Sequence, residues 1–172
     1  MRKDWIWEYL DEKSKKILAF AGIYIVSGAS FALFEILQNI PYSSVSIFLL
    51  FILMSLIFVF ALVTGVMLLK KKGLGIDFMK VLMAFQVLGL QAFGFQYFLY
   101  LGVVGGIEYN WDESNVFNFF FKMGFIDFNI TLNYDKYGDV GFFINIIPII
   151  FIQYLLKIEN KALEKRELGN HL

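Results

Sequence analysis

Cysteine is absent from this chain, and histidine occurs only once, at the penultimate residue His171. Without cysteine, disulfides, thiolate chemistry and zinc or iron–sulfur sites held by cysteine are excluded. A single histidine so close to the end of the chain is a poor basis for a metal site or a catalytic triad. The sequence therefore predicts no metal and no cofactor.

Charge is scarce as well. Charged residues make up 17% of the chain and sum to a net charge of zero, so no bulk attraction for nucleic acid is expected. Apolar residues make up 59%, above the roughly one half that is usual in a soluble domain. They are grouped in blocks long enough to cross a bilayer, which takes about 20 residues of helix. The composition thus predicts an integral membrane protein whose first partner is the lipid bilayer.

Four apolar segments stand out between charged runs and turn residues, and each is long enough to span alone. The predicted fold is all-α, a bundle of four transmembrane helices with a small extracytoplasmic β-hairpin-like loop between spans three and four. The predicted divisions are an interfacial amphipathic helix at 1–16, spans one to three within 17–104 (17–40, 45–69 and 76–104), a structured outer loop at 105–140, span four at 141–158, and a charged tail at 159–172.

Lysine and arginine are divided unevenly between the two predicted sides of the membrane. Five precede span one, four lie between spans two and three and four follow span four, which leaves only Lys122 and Lys136 of the fifteen. Because short cytoplasmic segments carry the excess of basic residues, both termini are predicted to be cytoplasmic. The Lys-, Asn- and Phe-rich composition favours the plasma (inner) membrane of a bacterium or archaeon, with the chain crossing it several times.

The outer loop carries six carboxylates against two lysines. From Phe128 to Tyr134 apolar and polar residues alternate, the period of a half-buried strand. The aromatic stretch from Phe117 to Phe125 is a candidate partner strand, so a two-stranded hairpin is predicted. The alternative is a short interfacial helix or re-entrant segment. Asp127, Asp135 and Asp139 are the acidic candidates for recognition in this loop.

Glu35 is the one carboxylate well inside an apolar span. An ionisable residue at membrane depth is costly and often marks an ion or proton path. Helix rise, however, places Glu35 only roughly 7 Å below the outer end of its span. It is therefore interpreted either as an interfacial carboxylate near the outer loop or as a functional ion or proton site.

Span three contains three glutamines, Gln86, Gln91 and Gln96, at intervals of five residues. On a helix that interval rotates each side chain by about 140° from the last, so the three do not form one polar stripe. Amide side chains in spans usually join helices through hydrogen bonds, and Asn145 and Gln153 of span four are the predicted partners. The alternative is a polar cavity open on one side.

Other residues indicate how the spans would pack. Two small-residue pairs, Gly28 with Ala32 and Ala61 with Gly65, permit close approach of helices. Pro148 removes a backbone donor and is predicted to kink span four near Ile144, for packing or for gating.

The leading functional hypothesis is a non-enzymatic subunit, sensor or inhibitor within a membrane complex, bound to itself as a homo-oligomer or to another membrane protein. Small bacterial immunity and defence proteins share this size and topology. The alternative is a homo-oligomeric ion channel or pore that uses Glu35 and the span-three glutamines. A membrane enzyme that acts on lipid is the third hypothesis, although no nucleophile, acid–base pair or metal cluster supports it.

Overall fold

A computed structural model of the protein describes residues 3–38, 45–92, 95–100, 103–111, 116–123, 127–132 and 140–169. A 3-10 turn at Lys3–Trp5 leads into five α-helices: α1 (Ile6–Tyr9), α2 (Glu12–Gln38), α3 (Val45–Leu69), α4 (Gly73–Phe85) and α5 (Ile146–Gly169). Six strands lie between α4 and α5: β1 (Leu88–Ala92), β2 (Phe95–Tyr100), β3 (Val103–Trp111), β4 (Val116–Met123), β5 (Asp127–Leu132) and β6 (Val140–Asn145). Most of the described residues are helical.

The chain divides into two compact units. The helical unit comprises Met1–Met79 and Leu156–Leu172, and the sheet unit comprises Lys80–Leu155. The helical unit thus holds α2, α3 and the basic second part of α5, while the sheet unit holds all six strands.

Two helices of the helical unit are long and apolar enough to cross a membrane, α2 and the Phe51–Leu69 part of α3. Both begin or end at polar signals in the sequence. The side chain of Asp11 accepts a hydrogen bond from the amide of Ser14 (2.6 Å) and so caps the start of α2. Helix α3 ends where the amide of Lys72 donates to the carbonyl of Met67 (2.9 Å), a Schellman-type closure.

The residue at the turn of that closure is Lys71, whose φ is +54°. Among the described residues it is the one non-glycine residue with positive φ. Glycine is the usual residue at this position because a Cβ is disfavoured in the left-handed region.

Helices α2 and α3 pack closely through glycines. A Cβ added to Gly65 would lie 2.7 Å from Val26 Cγ2 and 2.9 Å from the carbonyl oxygen of Gly22. Gly22 in turn lies against Gly65 and Leu69, so the start of α2 runs beside the end of α3 and the two helices are antiparallel. The small residues expected at close helix contacts, Gly28, Ala32, Ala61 and Gly65, are all buried.

The six strands form one sheet in the order β4-β3-β6-β1-β2-β5, with every neighbouring pair antiparallel. The edge strands β4 and β5 are consecutive in the chain and are joined by residues 124–126. Likewise β2 and β3 are joined by two residues, 101 and 102, although β1 and β6 lie between them.

The third predicted span is wrong beyond Phe85. The helix there covers only Gly73–Phe85, and residues 88–92, 95–100 and 103–104 belong to strands β1, β2 and β3 instead of a continued helix. Five glycines and many β-branched and aromatic residues follow Phe85 up to Gly106, a composition that disfavours helix and favours strand. The described residues therefore form two apolar helices, three further α-helices and a sheet, and not an all-α bundle of four spans.

The other boundaries also differ. The predicted fourth span begins as strand β6, and α5 starts only at Ile146 and continues through the charged tail to Gly169. The predicted N-terminal helix is shorter, because Leu10 and Asp11 interrupt it before α2. The predicted strands in the loop are present as β4 and β5, but they pair with β3 and β2, in a sheet much larger than a hairpin.

Candidate functional site

The two junctions between helix and strand in the sheet unit meet at one end of the sheet. Helix α4 ends just before β1, and β6 ends just before α5, while β1 and β6 are paired with Leu88 opposite Ile144. The backbone amide of Asn145 donates to the carbonyl of Val87 (2.8 Å), so the last residue of β6 is tied to the chain leaving α4. We call Gln86, Val87 and Asn145 the amide junction.

Asn145 is fully buried, and its side-chain oxygen accepts two hydrogen bonds from backbone amides. One donor is Ile147 (3.2 Å), in the first turn of α5, and the other is Gly105 (3.3 Å), on β3. The first bond caps α5 and the second holds β3 against the junction. Within the described part of the chain the side-chain nitrogen Nδ2 has no hydrogen-bond partner. Because two N–H donors fix the oxygen, exchanging the oxygen and nitrogen positions would be unfavourable.

Gln86 is also buried and acts at the end of α4. Its backbone amide donates to the carbonyl of Met83 (3.0 Å) and not to that of Leu82, so the Leu82 carbonyl lacks its usual donor within the helix. The side-chain nitrogen of Gln86 supplies that bond at 3.2 Å. The amide of Gln86 thus contacts its own helix, at the carbonyl of Leu82 and at Met83 Sδ (3.9 Å), and Asn145 accepts from backbone amides of β3 and α5. Neither contact is the predicted hydrogen bond between the amide side chains of two helices.

Gly106 lies beside the junction, at a position where there is no room for a side chain. It is paired with Asn145 across β3 and β6, and a Cβ at this position would overlap the carbonyl oxygen of Ile144. The backbones of β3 and β6 approach so closely here that no side chain can be accommodated.

The remaining glutamines are dispersed. Gln91 and Gln96 are opposite one another in the β1–β2 register, and Gln153 is exposed on α5. Of the three glutamines assigned to span three, only Gln86 adjoins a helix, and its amide is engaged by that helix.

Pro148 does not kink a helix interior. It is the third residue of α5, in the first turn, where a backbone N–H has no acceptor within the helix. Ile144 belongs to β6, so its carbonyl is not part of the helix. The predicted kink is therefore wrong, and Pro148 is instead buried near the helix start.

Glu35 is exposed on α2, in the helical unit, whereas the amide junction belongs to the sheet unit. Asp127 is the first residue of β5 and lies opposite Tyr100 of β2. Asp135 and Asp139 lie outside the described residues. In the described part of the chain, no group of three or more His, Asp or Glu side chains is arranged to hold a metal ion.

The helical unit contains a second polar cluster that involves the N-terminal segment. The Asp4 carboxylate accepts a hydrogen bond from the amide of Gly73 (3.1 Å) and pairs with Lys72 Nζ (3.3 Å), so it caps the start of α4. The Arg166 guanidinium stacks over the Trp5 ring at 4.4 Å, and Lys165 Nζ donates to the carbonyl of Tyr9 (3.3 Å). The N-terminal segment is thus held by both the α3–α4 connection and the second part of α5.

Lysines from three segments surround the start of α2 in this cluster. The Asp11 carboxylate accepts the amide of Ser14, which lowers its pKa, and Lys161 and Lys165 of α5 lower the pKa further. Lys15, Lys16 and Lys71 are close enough to act electrostatically on Glu12, and Lys15 pairs with it at 2.9 Å. We call this cluster the basic end of the helical unit.

Several of these groups were missed from the sequence. Asp4 and Gly73 are 69 positions apart, so no local pattern points to their contact. The cap of α2 could have been found, because Asp11 stands at the start of the apolar run with Ser14 three residues later. Gly106 gives no signal of its own among the many glycines of that region.

One face of the sheet near the junction is apolar and exposed. Leu88 and Leu90 of β1 and Phe142 of β6 are 52%, 50% and 41% exposed, and Leu90 lies opposite Phe142. Their immediate neighbours Gly89 and Phe143 are buried, as strand alternation requires. The polar Asn145 is therefore on the buried face and the large apolar side chains are on the exposed one.

Comparisons with protein-family models, with curated proteins and with solved structures give no match to this chain.

Proposed function

We propose that this chain is a non-enzymatic membrane protein in which α2 and α3 cross the bilayer and the sheet unit binds another membrane protein. In such a complex it would serve as a subunit, sensor or inhibitor of the immunity or defence type. The observation that carries the proposal is the large apolar surface exposed on both units.

On the helical unit, exposed apolar side chains occur along the whole length of both helices. Phe20 and Phe31 of α2 are 70% and 61% exposed, and Leu49 of α3 is 60% exposed. Leaving one such side chain in water costs about 1.5–3 kcal/mol relative to burying it, and soluble proteins rarely expose large contiguous apolar patches. A bilayer removes this cost, because lipid chains cover the exposed faces.

The arrangement of charge supports one orientation. The start of α2 and the end of α3 are adjacent, and the second part of α5 contacts the N-terminal segment. The basic end therefore collects lysines and Arg166 from three parts of the sequence. By the positive-inside rule we place it, and both termini, on the cytoplasmic side of a bacterial or archaeal plasma membrane.

Membrane insertion can be tested by cysteine labelling, because the native chain has no cysteine. Lys13→Cys and Lys70→Cys lie at the basic end, and Gln38→Cys lies at the opposite end of α2. In intact cells a membrane-impermeant maleimide should label only Gln38→Cys, and the other two only after permeabilisation. Equal labelling of all three in intact cells, or release of the protein by alkaline carbonate, would overturn the two-span proposal.

Binding by the sheet unit can be tested on its exposed apolar face. The native mass of the gently extracted complex should exceed that of the monomer and include a stoichiometric partner. Leu90→Ser with Phe142→Ser should release that partner, whereas Leu163→Ser, a comparably exposed apolar position on α5, should retain it. A monomeric wild type, or a complex unchanged by the double substitution, would contradict this role.

A further inference from the structure

We propose that the basic end of the helical unit binds the phosphate of an anionic phospholipid headgroup, through Lys16, Lys70 and Lys71. This inference rests on the proposed membrane insertion and names the lipid class that the inserted protein would select.

The three lysines are positioned together by the fold. Lys70 and Lys71 follow the last residue of α3, and Lys16 lies in the second turn of α2. Gly22 of α2 lies against Gly65 and Leu69 of α3, so the end of α3, which Lys70 and Lys71 follow, runs beside the first turns of α2, where Lys16 lies. All three side chains are exposed.

The nearest carboxylates make their short contacts with other groups. Glu12 pairs with Lys15, Asp4 pairs with Lys72, and Asp11 accepts the Ser14 amide. Among the described residues, no ion pair within 4.0 Å involves Lys16, Lys70 or Lys71. A cluster of cations that form no ion pair with a described residue, at the ends of two apolar helices, has charge complementarity with a phosphate at the same depth.

The backbone conformation at Lys71 is set by the end of α3. Its φ of +54° is the conformation in which glycine is the low-energy choice. The Schellman-type closure at the end of α3 imposes this conformation, and it places the charge of Lys71 directly after the helix, next to Lys70.

Aromatic residues border the same region. Trp5 and Tyr9 contact one another edge to face (ring centroids 6.2 Å apart), and Arg166 covers Trp5. Tryptophan and tyrosine favour the depth of the headgroups. Because Trp5 follows Asp4, which pairs with Lys72, these rings lie next to the proposed phosphate site.

The position of the tryptophans provides the assay. In full-length protein carrying Trp111→Phe, tryptophan fluorescence arises only from Trp5 and Trp7, both in the helical unit. The protein is reconstituted in phosphatidylcholine vesicles that contain a minor fraction of brominated phosphatidylglycerol or brominated phosphatidylcholine. Preferential quenching by the brominated phosphatidylglycerol reports its enrichment beside the tryptophans, and flotation after carbonate treatment reports insertion.

We expect the wild type to prefer the anionic lipid and Lys70→Gln with Lys71→Gln to lose about fivefold of that preference per lysine. Adding Lys16→Gln should remove most of what remains. The matched control, Lys122→Gln with Lys136→Gln, removes the same charge from sequence positions in the sheet unit and should leave the preference unchanged. Equal quenching by both lipids, or equal losses in both double variants, would overturn the proposal.

The source of the phosphate and the dependence on insertion are resolved in the same assay. Soluble inorganic phosphate at constant ionic strength should not reduce the preference; if it abolishes the preference, the site selects free phosphate over the lipid headgroup and the proposed lipid specificity is overturned. Protein that inserts without any headgroup preference refutes this inference alone. Protein that does not insert refutes the proposed function as well.

Discussion

The side chain of Asn145 accepts a hydrogen bond from the amide of Gly105, 40 residues earlier in the chain, at 3.3 Å. The same oxygen caps α5 through Ile147, while the neighbouring nitrogen Nδ2 is buried with no partner among the described residues. One side chain thus combines two favourable bonds with one unfavourable burial.

We expect Asn145→Leu to lower the free energy of unfolding by about 2–4 kcal/mol, because two backbone amides lose their acceptor. Asn145→Ser should cost less, since its hydroxyl can still cap the helix and the unpartnered nitrogen is gone. Equilibrium unfolding in mixed micelles measures both. Equal stability of wild type and Asn145→Leu would show that the cap is unimportant.

Trp7 is buried, and its indole nitrogen has no hydrogen-bond partner within the described residues. Trp7→Phe removes that N–H and retains most of the ring, so stability should change by less than about 1 kcal/mol. Trp7→Ala should lower it by about 3–5 kcal/mol by creating a cavity. Similar losses in both variants would indicate that the indole nitrogen is bonded in solution.

The contact between α2 and α3 predicts graded effects of adding a methyl group. Gly65→Ala places a Cβ 2.7 Å from Val26 Cγ2 and should lower stability by about 1–3 kcal/mol. Gly22→Ala, with its nearest atoms at 3.1 Å, should cost less. Gly169→Ala meets nothing within 4 Å and is the control, for which we expect no loss. The reverse order, measured by thermal unfolding in micelles, would contradict the packing.

Lys71→Gly should raise the free energy of unfolding by about 0.5–1 kcal/mol, because glycine adopts φ of +54° without steric cost. Lys70→Gly removes the same charge at a residue without positive φ and should give no such gain. Chemical denaturation of both variants distinguishes relief of backbone strain from loss of charge. A gain in both would assign the effect to charge.

Stability should depend on pH through Asp11. The Ser14 amide lowers the pKa of this carboxyl below its ordinary value of 3.8, so the folded state favours the ionised form. Its contribution is therefore complete above the unfolded pKa and is lost as pH falls through the lowered folded pKa. Wild type should exceed Asp11→Asn at neutral pH, and the difference should vanish in acid. A difference that grows on acidification would reverse the assigned sign.

The sequence predicts the two apolar helices well. Segments 17–40 and 45–69 correspond to Glu12–Gln38 and Val45–Leu69, because each run is long, apolar and free of proline, with lysines before the first run and after the second. The alternation from Phe128 likewise predicts β5. These features depend on residues close together in the chain.

The stretch after Phe85 shows why the remainder was not predicted. Length and apolarity are the same for a membrane helix and for two buried strands, and periodicity does not distinguish them. The partner that makes β1 a strand is β6, about 50 residues later, and the bond from Asn145 to Val87 has no sequence signature. The sequence therefore singles out Gln86 and Asn145 as polar residues in apolar segments, but it does not predict that they lie at one junction.

The strand order has a consequence for how the protein meets its own copies. If the sheet were flat, five strand spacings of about 4.8 Å would separate β4 from β5 by about 24 Å. The four peptide steps from Met123 to Asp127 reach at most about 15 Å. The sheet must therefore curl until its two outer strands approach each other. Such curling leaves no long, straight edge to which an extended segment of a second chain could add, so strand-by-strand aggregation is disfavoured.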